Sequence, residues 1–378
     1  MHLVGGVAHS IGWFVVVLTL VVFFHELGHY LVARICGVKV EVFSVGFGRE
    51  LFGFTDGAGT RWKFSLIPLG GYVKFYGDVG YAGEQDHIAA SKMSSEDRDV
   101  SFHHKSLARR AAIVAAGPAA NFLLAIIILA FIFSIVGRAF TPPVVGEVLE
   151  GSAALAAGIE VSDRIIGIDD REIRRFEDIR DIVMFSPGKV LSLHIERAGQ
   201  LLEIAVTPKT SEFIDALGNS HKIGLLGISV GGAEFQRVSI IGAMLEAVGH
   251  TYYLSAKTLQ GIGQIITGSR STDELGGPIL IAQMSGVQAA NGPISFFNFV
   301  VILSVTLGLI NLFPIPILDG GHLLFYLLES IRGKPLGSKV QEYSLLAGLS
   351  FIIVLMMFTT FNDLTRPNVM EFFSKITG

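Results

Sequence analysis

Four stretches of the chain are apolar for long enough to cross a lipid bilayer as helices. A helix needs roughly 20 mainly apolar residues to span the bilayer core, and such runs predict spans over residues 8–33, 107–137, 293–320 and 341–362. The first run has no Lys or Arg ahead of it and no small-residue cleavage site after it, so we expect a retained span rather than a signal peptide. The predicted fold class is a polytopic α-helical membrane protein.

The segments between the spans carry other patterns. Residues 38–76 hold two Val- and Phe-rich runs around a turn, which predicts a β-hairpin sheltered against the membrane. Residues 142–230 show repeated strand alternation and predict one β-rich domain inserted between spans two and three. A polar loop, an amphipathic helix on the membrane surface and a cytoplasmic connector are predicted over 77–104, 238–268 and 322–340.

The composition agrees with a membrane protein. Of the 378 residues, 51% are hydrophobic and 16% are charged, whereas soluble domains carry about 25% charged residues. The net charge of −4 gives no basic field that would attract nucleic acid. Cys36 is the single cysteine, which excludes an intramolecular disulfide, so any chemistry must rely on His, Asp, Glu or Ser.

Basic residues near the span ends predict the orientation in the membrane, because cytoplasmic connectors are enriched in Lys and Arg. Such residues cluster after span one, before span two and between spans three and four: Arg34, Lys39, Lys105, Arg109, Arg110, Arg332, Lys334 and Lys339. We therefore expect these connectors in the cytoplasm. Both termini and the long segment 138–292 are expected on the opposite side.

The sequence His25-Glu26-Leu27-Gly28-His29 is the strongest chemical signal in the chain. Histidines four residues apart share one face of a helix and can bind one metal ion, and Glu26 is placed to act as a general base. The motif ends an apolar span, where ionisable residues are usually functional because burying them is costly. The alternative is a helix end that emerges among the lipid headgroups.

A catalytic zinc site needs a third protein ligand, and the end of span three offers one. Asp319 is the first charged residue after 44 neutral ones, and it follows two prolines that break the helix. Irregular backbone at membrane depth requires surrounding protein or a cavity. Two alternatives stay open here: Asp319 could cap a helix over 322–331, and His322 could compete as the ligand.

Two of the asparagines within the predicted spans, Asn121 and Asn311, are candidates for a polar role. For Asn121, in span two, hydrogen bonding to a neighbouring helix is the main interpretation. Asn311 lies eight residues before Asp319, so it could donate to a substrate carbonyl or to the developing oxyanion. Plain helix packing is an equal alternative for Asn311.

Together these motifs resemble those of the intramembrane site-2 zinc metalloproteases, and in particular the bacterial regulator-of-sigma-E proteases. The resemblance covers nearly the whole chain and is carried by HELGHYLVAR (25–34), GFG (46–48), IPLGGYVKF (67–75), GPAANFLLA (117–125), GGPILIA (276–282), NLFPIPILDGGHLLF (311–325) and FNDLTR (361–366). It implies one Zn²⁺ ion held by His25, His29 and Asp319, with Glu26 as the catalytic base.

The same resemblance implies a substrate-binding region. Asn311 is expected to help hold the substrate, together with Gly70 and Gly71 of the predicted hairpin. In the family this hairpin is thought to pair with the substrate as an added strand, which is recognition of the main chain by β-augmentation. A protease needs such an extended backbone, because a helix hides its peptide bonds.

The inserted domain resembles a PDZ module. The run 152–170 follows the pattern S-x-A-x-x-A-G-[LI]-x-x-G-D-x-I-x-x-I-x-G, with departures at Ser162 and Asp170, where Gly is usual. The segment Gly224-Leu225-Leu226-Gly227-Ile228 resembles the carboxylate-loop strand of circularly permuted PDZ domains, so these residues are candidates for peptide binding. The segment 142–230 has room for only one such module.

The resemblance implies a zinc-dependent intramembrane endopeptidase of a bacterial inner membrane. Its expected substrates are single-pass membrane proteins, such as an anti-sigma factor, already cut on their outer side, and remnant signal peptides are a second class. The implied role is regulated intramembrane proteolysis in envelope stress signalling. The PDZ module would read a new C-terminus or, as we favour, exclude substrates with bulky outer domains.

Two other classes of function remain possible from the residues alone. The first is a non-proteolytic receptor or scaffold, against which the intact Glu26 argues, since such a protein needs no general base. The second is an ion transporter that uses the buried His and Asp groups. The sequence has no visible inverted repeat of short broken spans, which argues against a transporter.

Overall fold

A computed structural model of the chain describes residues 2–77, 93–214, 220–231, 234–236, 238–268, 272 and 275–365. The chain divides into two compact units, and each is described by itself. The first unit lies within Met1–Ala130, Glu246–Gln260 and Asp273–Gly378, and the second within Phe131–Leu245 and Gly261–Thr272. Most of the predicted loop 77–104 and Arg366 of the last family motif fall outside the described residues.

Helices are the main elements of the first unit, and two short helices, Ala153–Ala156 and Phe176–Met184, belong to the second unit. In chain order the α-helices are α1 His2–Ile35, α2 Ser95–Val100, α3 Leu107–Ile135, α4 Ala153–Ala156, α5 Phe176–Met184, α6 Ile240–Ile266, α7 Pro278–Ala290, α8 Pro293–Leu312, α9 Asp319–Arg332 and α10 Ser338–Thr365. Among the described residues, four helices are long and apolar enough to cross a membrane, over Val7–Ile35, Leu107–Ile135, Pro293–Leu312 and Lys339–Thr365. They correspond to the four predicted spans, and the protein is a membrane protein.

The third span differs from its prediction. The apolar run 275–318 contains two helices, α7 and α8, separated at Gly292, whose φ of 105° no helix accommodates. α8 ends at Leu312 rather than at residue 320, because the prolines at 314 and 316 cannot continue the helical hydrogen bonds. α9 begins at Asp319 rather than at His322, with the acid in its first turn, where it complements the helix dipole.

The N-terminus of α7 is held by the last described helix. The carboxylate of Asp363 on α10 accepts hydrogen bonds from the backbone N–H groups of Gly277, Ile279 and Leu280 at 3.0, 3.1 and 3.0 Å. Asp363 is fully buried. It satisfies donors that a helix N-terminus otherwise leaves without partners, so α7 is fixed to α10 and packs along α1.

The predicted hairpin is present and is folded back on itself. Its strands are β1 Val40–Thr55 and β2 Arg61–Phe75, which pair antiparallel. Val42 lies opposite both Arg61 and Lys74, so the first half of β1 is an inner segment of a small sheet. Residues 50–55 and residues 71–75 therefore form the two borders of this sheet.

The turn of the hairpin is fastened to α1 by Asp56. Its carboxylate accepts hydrogen bonds from the Tyr30 hydroxyl at 3.1 Å and from the indole N–H of Trp62 at 2.9 Å. The hydrogen bond from Trp62 is the main cause that lowers the pKa of Asp56. Because Tyr30 follows His29 in α1, this contact places the sheet beside the predicted metal ligands.

The second unit contains the predicted β-rich domain. Its strands are β3 Arg138–Phe140, β4 Val145–Val148, β5 Arg164–Ile168, β6 Arg171–Glu172, β7 Leu191–Arg197, β8 Gln200–Val206, β9 Lys209–Ile214, β10 Ser220–Leu225, β11 Ile228–Val230 and β12 Glu234–Gln236. The order β6-β5-β7-β8 forms a four-stranded sheet, and β4 pairs with β11, β9 with β10 and β3 with β12. Ile165, Leu193 and Ile195 are fully buried in its core, as strand alternation requires.

A buried ion pair ties the start of β5 to β7. The side chain of Asp163 is fully buried and accepts hydrogen bonds from Nε and Nη2 of Arg197, both at 2.7 Å. Burial acts to raise the pKa of Asp163, but these hydrogen bonds outweigh it and the pKa is lowered. The neighbouring Ser162 has a φ of 76°, which explains why glycine is usual at this position of the PDZ pattern.

α6 is the predicted amphipathic helix, with bounds at Ile240 and Ile266 rather than at 238 and 268. Large apolar side chains such as Leu245 and Tyr252 are exposed, while Ala247 is fully buried. Among the described helices it is not one of the four that are apolar enough to span a membrane. Its location on the membrane surface stays a prediction.

Candidate active site

The two histidines of the HExxH sequence face one point. His25 and His29 lie in α1 and are 8% and 9% exposed. Their Nε2 atoms are 3.2 Å apart. The Nε2 atom of His25 lies 3.2 Å from Oδ2 of Asp319, and that of His29 lies 3.5 Å from Oδ1. All three candidate ligand atoms fall within 4.8 Å of one another, so the structure brings the three predicted metal ligands together.

α3 fixes the orientation of His29. The Nδ1–H group of His29 donates to the backbone carbonyl of Ile113 at 2.9 Å. Because a carbonyl can only accept, Nδ1 must carry the proton and Nε2 keeps its lone pair for a metal. One turn further along α3, Gly117 leaves the room that this ring needs, since a Cβ there would overlap Nε2 of His29.

Asp319 reaches the site through a sharp reversal of the chain between α8 and α9. Within the reversal Ile317 has a φ of 86°, which is rare for a β-branched residue. Gly320 permits the close return of α9, because a Cβ there would overlap the carbonyl oxygens of Leu312 and Phe313. The broken helix thus turns the Asp319 carboxylate back toward α1.

The sequence left two alternatives open for this segment: Asp319 as a helix cap, and His322 as the metal ligand. The cap position of α9 is held by Leu318, so Asp319 is not the helix cap. His322, one turn into α9, lines a cavity that the three predicted ligands also line, and it packs edge-on against Phe325. Within the part of the chain that the structure describes, the group able to hold a metal contains Asp319 and not His322.

Glu26 lies beside the ligand atoms and not among them. It is 8% exposed and lines the same cavity. The border of the hairpin sheet runs next to it, since a Cβ at Gly71 would lie 2.9 Å from Cγ of Glu26 and 2.8 Å from Cγ1 of Val22. A carboxylate in this position can exchange protons with whatever occupies the cavity.

The cavity has a volume of about 520 Å³ and lies in the first unit. One of its walls comes from the sheet border, with Gly70, Gly71, Tyr72, Val73 and Phe75. The two glycines predicted to bind substrate are therefore at the cavity. A pocket that combines an apolar lining, a strand at a sheet border and three grouped metal ligands has the parts needed to hold and cut a peptide.

Asn121 and Asn311 both lie at His25. Nδ2 of Asn311 is 3.5 Å from Nε2 of His25, and Asn311 lines the cavity. Its role in substrate binding stays a prediction. Asn121 is fully buried, and its Nδ2 atom is 3.2 Å from Nδ1 of His25. Asn121 therefore contacts a neighbouring helix, in keeping with its main interpretation. The sequence did not identify its partner as a predicted metal ligand, because no local pattern links residues so distant in the chain.

The predicted peptide-binding segment of the β-rich domain is not one continuous strand. Gly224 and Leu225 end β10, and Ile228 begins β11, while Gly227 between them has a φ of 76° that interrupts the strand. The side chain of Leu226 is buried in the domain core and only 3% exposed. Leu226 is thus a core residue. A ligand could contact the residues next to it or its backbone, but not its side chain.

Two imidazoles and a carboxylate around one point, with a second carboxylate beside them in a cavity, form the donor set of a catalytic metallopeptidase. The sequence model of peptidase family M50 matches residues 13–355, and the chain belongs to that family. The protein is a zinc metalloprotease, as are its relatives by name.

Two relatives illustrate this membership. A protein of Agrobacterium fabrum named as a zinc metalloprotease is 46% identical over 356 residues, which are 93% of this chain and 94% of the relative. A protein of Rhizobium meliloti with the same kind of name is 44% identical over 367 residues, which are 96% and 98% of the two chains. A solved PDZ domain of an SdrC-like protein from Listeria monocytogenes covers 25% of this chain and 90% of its own, at 15% identity and a TM-score of 0.19.

Proposed function

We propose that the protein is an intramembrane endopeptidase that makes the second cut in single-pass membrane proteins already trimmed on their outer side. An anti-sigma factor is the expected type of substrate, and remnant signal peptides are a second class. This activity would place the protein in regulated intramembrane proteolysis during envelope stress. The proposal extends the family's zinc metalloprotease activity to a substrate class.

One observation carries the proposal. A border of the hairpin sheet, residues 71–75, lines the same cavity as the three grouped ligands and Glu26. A sheet border can accept an extended peptide by main-chain hydrogen bonds, whatever the side chains of that peptide are. Two of the elements that build the cavity, α1 and α8, are candidate membrane spans, which supports a substrate segment that comes from the membrane.

The donor set fits a zinc ion, since zinc favours imidazole nitrogen and carboxylate oxygen, and three protein ligands leave one position open in a catalytic site. We propose that His25, His29 and Asp319 hold one such ion per chain. When bound, zinc would polarise the scissile carbonyl and make a water molecule more acidic.

The residues of the chain would divide the remaining work. Glu26 takes the proton from the attacking water and later gives it to the leaving amine. The amide of Asn311 donates to the oxygen on which negative charge develops. Gly70 and Gly71 would offer main-chain groups to the substrate backbone. The missing Cβ of Gly71 leaves the room that Val22 and Glu26 occupy.

We further propose an inner-membrane location with both termini and the β-rich domain in the periplasm. The cluster of Lys and Arg residues at the ends of spans supports this orientation. The β-rich domain is proposed to be a single PDZ module, and α6 to lie on the outer membrane surface through its exposed apolar residues. The active site would then lie toward the cytoplasmic side.

The test uses the full-length protein in lipid vesicles, with zinc content measured by atomic spectroscopy and cleavage of a model transmembrane peptide by mass spectrometry. The wild type should bind one zinc ion and cut the peptide. Glu26→Gln should keep its zinc and lose at least about 100-fold in rate, as expected when a general base is removed. Glu147→Gln, which changes an exposed carboxylate of the β-rich domain, is the matched control.

Two outcomes would contradict the proposal. A zinc-loaded Glu26→Gln protein that still cuts efficiently would remove Glu26 from the mechanism. A wild-type protein that binds the transmembrane peptide, carries zinc and never cuts it would favour the receptor interpretation instead.

A further inference from the structure

We infer that Asn121 is a positioning residue for the metal site, and that its side-chain oxygen accepts a hydrogen bond from Nδ1–H of His25. The inference rests on the proposed metal site and adds a residue to it. Asn121 would thereby fix both the tautomer and the rotation of the His25 ring. The role of Asn121 depends on which nitrogen of His25 faces the other ligands.

The metal-facing atom of His25 is Nε2. It lies 3.2 Å from Nε2 of His29 and 3.2 Å from Oδ2 of Asp319. A neutral imidazole carries one N–H group and one lone pair. If Nε2 offers its lone pair to a metal, Nδ1 must carry the proton, and Nδ1 then needs a hydrogen-bond acceptor.

The side-chain amide of Asn121 is the group that faces Nδ1. Its nitrogen is placed 3.2 Å from Nδ1 of His25, which would bring two donors together. Its oxygen is buried and has no hydrogen-bond partner among the described residues. The oxygen and nitrogen of an amide have nearly the same shape, so the hydrogen bonds decide which atom faces the ring. A half-turn of the amide gives Nδ1–H an acceptor and the Asn121 oxygen a donor.

Asn121 is held rigidly enough for this task. It is fully buried, and its backbone carbonyl accepts a hydrogen bond from the Ser304 hydroxyl of α8 at 2.8 Å. Gly308 of α8 gives the side chain its room, since a Cβ at that position would lie 3.3 Å from Cβ of Asn121. The amide therefore has a fixed location between α1, α3 and α8.

The arrangement mirrors the contact of the second histidine. Ile113, Gly117 and Asn121 lie at four-residue intervals on one face of α3. The carbonyl of Ile113 accepts from Nδ1–H of His29, and Asn121 serves His25 in the same way. α3 thus presents two hydrogen-bond acceptors to two imidazoles. An acceptor that orients a metal-binding histidine commonly strengthens metal binding by about 10- to 100-fold.

The test measures zinc affinity of the full-length protein by competition with a chelator. Asn121→Leu keeps the size of the side chain without an acceptor and should weaken zinc binding about 10- to 100-fold. Asn121→Asp keeps an acceptor oxygen and should bind zinc at least as tightly as the wild type. Ser285→Ala, which alters another buried polar residue, should bind zinc like the wild type.

Three results would overturn the inference. Wild-type zinc affinity in Asn121→Leu would show that no acceptor is needed. Equal losses in Asn121→Leu and Asn121→Asp would indicate packing rather than hydrogen bonding. His25→Ala distinguishes a wrong role for Asn121 from a wrong metal site. This variant should lose zinc in the same assay. Full zinc binding by His25→Ala would overturn the metal site and the inference with it. Thermal unfolding of each variant identifies a protein that has not folded.

Discussion

Arg110 on α3 and Glu329 on α9 form an ion pair, with 2.6 Å between Nη2 and Oε1 and with both side chains less than one-fifth exposed. The guanidinium also lies 5.0 Å from the centre of the Tyr326 ring. α9 begins at Asp319, and α3 carries the carbonyl that orients His29. The pair therefore joins the helix of the third predicted ligand to the helix that supports the other two.

The first prediction is that this pair stabilises the site. Arg110→Met would leave Glu329 largely buried without its partner, and Glu329→Met would do the same to Arg110. Removing one member of a buried pair typically costs about 3–5 kcal/mol, so we expect each single variant to unfold at lower temperature and to bind zinc more weakly. The double variant should recover part of the loss, because no unpaired charge remains.

Thermal unfolding and zinc titration of the four proteins form a double-mutant cycle. A coupling of about 0.5–3 kcal/mol is expected for residues in direct contact. If the losses of the two single variants simply add in the double variant, Arg110 and Glu329 act independently.

The second prediction concerns the identity of the third ligand. Asp319→Asn should lower zinc occupancy as well as activity, because a neutral amide is a much poorer zinc ligand than a carboxylate. His322→Ala is the matched comparison, since His322 lines the same cavity one turn further along α9. It should keep its zinc. Metal analysis that finds full zinc in Asp319→Asn and none in His322→Ala would reverse the assignment.

The third prediction is a pH dependence within the β-rich domain. The pKa of Asp163 is lowered in the folded domain from an ordinary value of 3.8. Its contribution to stability is therefore complete above pH 3.8 and is lost as the pH falls through the lower folded value. Asp163→Asn should destabilise the domain by about 1.5–3 kcal/mol at neutral pH, because the charge-assisted hydrogen bonds between Arg197 and its buried acceptor are weakened.

Hydrogen exchange of the β5 and β7 amides in the full-length protein would measure this effect. The difference in amide protection between wild type and Asp163→Asn should be large at pH 7 and should shrink as the pH falls below about 4. Asp170→Asn, which changes an exposed carboxylate of the same domain, should leave protection unchanged. A difference that grows on acidification would contradict the assigned sign.

The fourth prediction concerns the β-rich domain as a size filter. Replacing residues 144–229 by a short flexible linker should leave the cleavage of trimmed substrates intact. It should also allow cleavage of untrimmed substrates that the full-length protein refuses. The reason is that a filter acts by bulk and needs no affinity for peptide.

One substrate, with and without its outer domain, would be offered to both enzymes in the same membranes. The paired design separates selectivity from overall activity. If the deletion abolishes cleavage of the trimmed substrate while zinc binding and folding persist, the domain is a required receptor, and the filter hypothesis is wrong.

Local patterns predicted a large part of the fold. The apolar runs, the HExxH spacing and the strand alternation each act over a few residues, and the four long helices, the hairpin and the β-rich domain follow from them. The bounds of the helices were less predictable where one long uncharged run also contains helix-breaking residues. The run 275–318 carries no charged residue, so only the sequence Asn291-Gly292-Pro293 marked the break between α7 and α8.

The contacts that support the ligands could not be predicted from such patterns. Asn121 meets His25 from 96 residues away, and Arg110 meets Glu329 from 219 residues away. Arg110 in the sequence is one of several basic residues at a span end, and this indicates only membrane orientation. Contacts of this kind depend on how the helices pack. The residue types involved are common in spans and connectors, so they do not identify a partner.

The sheet border at residues 71–75 has a consequence for which proteins this enzyme would cut. A transmembrane segment arrives as a helix with all its backbone hydrogen bonds closed, and opening them in lipid costs several kcal/mol for each group left without a partner. A strand can replace those bonds only after the helix has locally come apart. The proposed enzyme would therefore discriminate among membrane segments mainly by how readily they unwind, and glycine or proline near the cut would matter more than any particular side chain.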